Sequence, residues 1–71
     1  MTLSQLYAYV TRTFPKHLQL REPLVFALDE HINRKRTLDG SCIQAMRYLG
    51  LTESETNEVL LLARQALVGD R

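Results

Sequence analysis

Two helix-start signals and the stops between them divide this chain into four short helical segments, and no other feature constrains its fold as strongly. Thr2 with Gln5 three residues later is a capping box: the hydroxyl accepts from the third helical N–H, and the glutamine side chain reaches back to the cap. Leu3, Leu6, Tyr7, Val10 and Phe14 then recur at helical spacing until Pro15 stops the run. Pro23 suits the first turn of a second helix, whose Leu24, Leu28 and Ile32 fall four apart as a buried face. That helix ends in Asn33-Arg34-Lys35-Arg36, cations suited to the negative end of its dipole. For a third helix the pattern predicts Asp39 as N-cap, a hydrophobic staple between Leu38 and Ile43, and Gly50 as the stop. Thr52-Glu53-Ser54-Glu55 is the second box and opens a fourth helix running to about Leu67, before Gly69. No stretch alternates like a strand and no segment repeats. The expected fold is all-α, a compact bundle of about four short helices forming one domain over residues 1–71.

A chain of 71 residues has material for one core only. A domain of this size hides about 60% of its unfolded surface, and its expected stability is ~3–5 kcal/mol. Nothing staples it: Cys42 stands alone, and no second cysteine or histidine pair has metal-ligand spacing, so neither a metal nor a cofactor is expected. Free thiol chemistry fits a reducing, cytoplasmic setting. Without a leader pattern, or an apolar run near the ~20 residues that cross a bilayer, the chain reads as neither secreted nor membrane-spanning.

The formal net charge of +1 conceals an uneven distribution. Through Arg36 there are six cations, Arg12, Lys16, Arg21, Arg34, Lys35 and Arg36, against three acids; beyond it three cations face five acids. A polyanion would use the first part and be repelled by the second.

Catalytic groupings are absent from the pattern. Ser41 and Cys42 follow Gly40 without a base at a known spacing, and His17 and His31 form no i, i+4 ligand pair with the neighbouring acids. Three glycines, Gly40, Gly50 and Gly69, make no phosphate loop. The run Ala45 to Thr52 leading into Val59 has the rhythm of a helix-turn-helix. Its would-be reading helix offers Glu53, Ser54, Glu55 and Glu58 to phosphate, so DNA is not the expected ligand. The chain is expected not to be an enzyme.

Val59, Leu60, Leu61, Leu62 and Ala63 are consecutive, and at 100° per residue they point all round the fourth helix. Three short partner helices can hardly surround such a girdle, so Val59, Leu61 and Leu62 are candidates for a surface covered by self-association or by a protein partner.

Tyr7-Ala8-Tyr9-Val10 into Phe14-Pro15, followed by Pro23-Leu24, Ala27-Leu28 and Ile32, resembles the opening of the ProQ/FinO family of bacterial RNA chaperones. There, too, one helix ends in Phe-Pro and the next begins at Pro-Leu. The family's later Arg-Tyr-Leu is similar to Arg47-Tyr48-Leu49. The resemblance covers roughly residues 5–32. Val25 replaces the basic residue usual after Pro-Leu, and Ala27 replaces a glycine. The resemblance implies binding of structured RNA on a concave basic surface, with Arg47 on phosphate and Tyr48 packing beside it. Two functions are therefore expected. The first is a small RNA-binding regulator contacting phosphates through Arg12, Lys16, Arg21, Arg34, Lys35, Arg36 and Arg47. The alternative is a non-enzymatic protein-interaction module or inhibitor, dimeric through the fourth helix.

Overall fold

The structure, a computed structural model, describes residues 1–69; Asp70 and Arg71, which enter the charge distribution above, lie outside the described residues. Four α-helices follow one another, α1 (Leu3–Thr13), α2 (Arg21–Ile32), α3 (Leu38–Leu49) and α4 (Glu53–Gly69), with a 3-10 turn at Leu18–Leu20 leading into α2. The fold is an all-α bundle, and none of the described helices is long and apolar enough to cross a membrane.

Both boxes form. Gln5 N–H donates to Thr2 Oγ1 at 3.2 Å while Thr2 N–H donates to Gln5 Oε1 at 2.8 Å. Glu55 N–H donates to Thr52 Oγ1 at 3.1 Å while Thr52 N–H donates to Glu55 Oε1 at 3.0 Å. Gly50 ends α3 in the left-handed region at φ 67°, and the Leu51 N–H closes the turn on the Met46 carbonyl at 3.1 Å. The start of α3 differs from expectation. Thr37, not Asp39, is the N-cap, its hydroxyl accepting from Gly40 N–H at 3.1 Å. Asp39 lies instead in the first turn, where its charge still favours the dipole. The helix therefore begins two residues earlier, and Leu38 packs on the core while Ile43 is exposed, so they form no staple.

Neighbouring helices run in opposite directions. The amino group of Met1 donates to Asn33 Oδ1 at 3.3 Å and Asn33 Nδ2 donates to the Met1 carbonyl at 2.7 Å, which ties the start of α1 to the end of α2. Arg64 lies 3.7 Å from Asp39, which places the last half of α4 beside the start of α3. The centre of the bundle is α2: α1, α3, α4 and the 3-10 turn all pack on it. Leu24, Val25, Ala27 and Leu28 are buried there with Leu6, Val10 and Phe14 of the first segment and Val59, Leu62, Ala63 and Ala66 of the last. Ile32, expected in the buried face, is partly exposed at the helix end.

The girdle on α4 is resolved by this packing. Val59 is 0% exposed and Leu62 4%, so both belong to the chain's own core and neither is open to a partner, contrary to expectation. Leu61 points about 160° away from Val59 at 100° per residue and is 57% exposed. Only this one of the three candidate interface residues stands on the surface.

Candidate interaction surface

The cations expected to form one basic patch fall into two groups at opposite ends of α2. The Phe14-Pro15 corner folds back toward the start of α2 rather than its end, so Arg12 and Lys16 share an end of the molecule with Arg21. Arg34, Lys35 and Arg36 follow the last turn of α2, beside Met1. A helical rise of 1.5 Å per residue separates Arg21 from Arg34 by about 20 Å, in a molecule whose extents are 27 × 26 × 20 Å.

Two of the second group are engaged, while Lys35 is exposed with no ion partner among the described residues. Arg36 Nε donates to Glu30 Oε2 at 2.7 Å, and Arg34 Nε lies 3.8 Å from Glu30 Oε1. Glu30 is buried, so these two guanidiniums serve as its counterions, and removing them would strand a carboxylate away from water. The backbone makes this possible by turning at Lys35, a non-glycine residue at φ 57°, which returns the Arg36 N–H to the Glu30 carbonyl at 3.1 Å. His31 Nδ1 meets the Arg36 carbonyl at 2.8 Å and completes the turn.

In the first group Arg12 lies over the Tyr9 ring at 6.0 Å, and Lys16 edges an open cleft of about 700 Å³ between the corner and α4, where Tyr9, Thr13 and Gln65 also line the wall. His17, in the same cleft, lies 3.5 Å from Glu58. Arg21 is half-buried, and its Nε is enclosed with no hydrogen-bond partner among the described residues. Arg47 is exposed on the last turn of α3.

A different surface is assembled from residues that periodicity assigned to other tasks. Along the outer side of α2 runs a groove of about 310 Å³. Leu3 and Tyr7 of α1 and Leu49 of α3 contribute to its lining, and Phe26 stands between Glu22 and Asp29 along the α2 side. Tyr48 is 74% exposed and packs its ring against Phe26, centroids 5.7 Å apart and planes tilted by 45°. Leu3, Tyr7 and Leu49 are also exposed. Tyr48 was a candidate from the sequence; Leu3, Tyr7, Phe26 and Leu49 were not. The available signal was angular. Phe26 is two residues beyond Leu24 and so about 200° round the helix, opposite the stripe that Leu24 and Leu28 bury.

Ser41 and Cys42 are both buried. The Ser41 hydroxyl donates to the Thr37 carbonyl at 2.8 Å. Burial pushes the Cys42 thiol up from its ordinary value, and the Asp39 carboxylate adds to this against an opposing pull from Arg64. A thiol that is harder to ionise and 2% exposed is a packing residue. Among the described residues no three His, Cys, Asp or Glu side chains converge as metal ligands. Comparison with protein-family models, with curated proteins and with solved structures finds no match to this chain.

Proposed function

We propose that this chain is a non-enzymatic protein-interaction module that docks a partner through the groove along α2. The observation that supports the reading is the run of exposed apolar and aromatic side chains, Leu3, Tyr7, Tyr48 and Leu49, gathered from two helices around Phe26. Single exposed apolar residues are ordinary on a small protein, whereas a contiguous set walled by two helices marks a contact surface. The docking surface is thus not the α4 girdle, whose Val59 and Leu62 are spent on the core.

An RNA ligand is the weaker reading. Of seven phosphate-binding candidates, Arg34 and Arg36 are held by Glu30 and lie about 20 Å along α2 from Arg21. Arg12, Lys16, Arg21 and Arg47 would carry the binding at one end and Lys35 stands by itself at the other, a small count for a polyanion whose affinity scales with phosphates neutralised.

A photo-reactive residue placed at Tyr48 or at Lys16, in cells that make the protein, separates the two. The protein reading predicts adducts of discrete mass from position 48 that survive ribonuclease and disappear when Leu3 and Leu49 are both changed to serine. Ribonuclease-sensitive adducts from position 16, with none from position 48, would establish RNA in its place.

A further inference from the structure

We infer that the occupant of the α2 groove is an amphipathic helix of a partner protein, carrying two cations seven residues apart with large apolar side chains between them. The inference rests on the protein-binding reading above and names the chemistry of the partner.

Two carboxylates mark out the groove. Glu22 and Asp29 both line it, seven residues of helix separate them by about 10 Å, and Glu30 and Arg34, which also line it, face each other at 3.8 Å, so the lining is net acidic. Glu22 is exposed and has no ion partner among the described residues. Asp29 accepts a side-chain hydrogen bond from Asn33 Nδ2 at 2.7 Å, which orients it and leaves it acceptor capacity. Between the two acids stands Phe26, with Tyr48 behind it. A helix lying along a groove presents anchors at i, i+3, i+4 and i+7. Lysines or arginines at i and i+7 then meet the acids while apolar side chains at i+3 and i+4 reach Phe26. A volume of about 310 Å³ is at the small end for ligand pockets and suits side-chain anchors better than a bound metabolite.

Charge also argues against the two obvious competitors. A second copy docked about a two-fold axis, α2 against α2 over this groove, would centre near Phe26 and set Glu22 of each copy opposite Asp29 of the other. Arg36, bonded to Glu30 at 2.7 Å, would not relieve that contact. RNA would meet Glu22 and Asp29 with its phosphates.

The test uses the full chain and a pair of labelled peptides of about 18 residues, long enough for appreciable helix. Both carry Leu at i+3 and i+4; one has Lys at i and i+7, its twin has Glu at the same places. Fluorescence anisotropy at low salt is expected to show the Lys peptide binding about tenfold more tightly. Amide shifts on binding should map to α2 and to the ends of α1 and α3 that wall the groove. The Glu22→Lys/Asp29→Lys chain is expected to reverse the preference. Glu22→Lys alone, at an exposed position that leaves the Asp29–Asn33 bond intact, should reduce the preference about threefold even if the double variant fails to fold. Equal binding of the twins, shifts confined to α4, or dimerisation of the free chain through Tyr48 would each overturn the inference. If peptide binding ignores charge while ribonuclease-resistant adducts still form at position 48, this partner assignment falls and the protein-binding reading stands. If those adducts are missing as well, the underlying reading has failed.

Discussion

Helices α2 and α4 each carry more apolar surface than one face can hide, yet the bundle treats them differently. α2 is enclosed by α1, α3, α4 and the 3-10 turn, so Pro23, Leu24, Val25, Ala27, Leu28 and Glu30 are all buried and a single strip, from Glu22 past Phe26 to Asp29, faces the groove. α4 packs on α2 and α3 with one side, burying Val59, Leu62, Ala63 and Ala66, and leaves Leu61 in solvent on the other. A consecutive apolar run therefore does not identify the central helix. What does is how many neighbours reach it, and a helix second in a short antiparallel chain is reached from both sides by the segments joined to it.

The contrast breaks most visibly at neighbouring residues of α4. Leu62→Ala should cost about 3 kcal/mol, most of what a domain this small has, because it opens a cavity in the core. A urea titration followed by circular dichroism measures the loss; a cost under about 1 kcal/mol would mean that α4 is not part of the core. Next in size is the charge arrangement at the end of α2. Arg36→Ala is expected to destabilise by about 1–2 kcal/mol, since Glu30 loses the cation 2.7 Å away. A cation serving only as a ligand for phosphate would leave the unfolding midpoint unmoved. Lys35→Gly acts in the opposite direction and should stabilise by about 0.5–1 kcal/mol, because φ 57° is strained for a residue with a Cβ. The same titration would show a midpoint shifted upward. Smallest of all is Leu61→Ser, expected within about 0.5 kcal/mol of the parent because the side chain already faces water.

Much of this architecture was legible from local signals. Both capping boxes, the stop at Gly50 and the four-helix division depend on a few adjacent residues and appear as expected. Thr37 was overlooked as a cap because Asp39, two residues on, is an equally good cap by type, and the choice depends on where the turn after Lys35 delivers the chain. The groove was not legible. Its lining residues are scattered from position 3 to position 49, and each is unremarkable within its own helix. Nor could sequence show that Arg34 and Arg36 converge on Glu30, because the contact requires the left-handed turn between them. The charges look like one basic block on paper and become two separated groups once α2 is a rod.

The claim that binding belongs to the strip on α2 and not to the girdle on α4 is tested most directly by walking one photo-reactive residue over both surfaces, at Leu3, Tyr48 and Leu49 and at Leu61 and Gln65. Adducts shared by the first three positions and absent from the last two are the predicted result. A strong adduct at Leu61 with none at Tyr48 would contradict it and return the contact to the fourth helix.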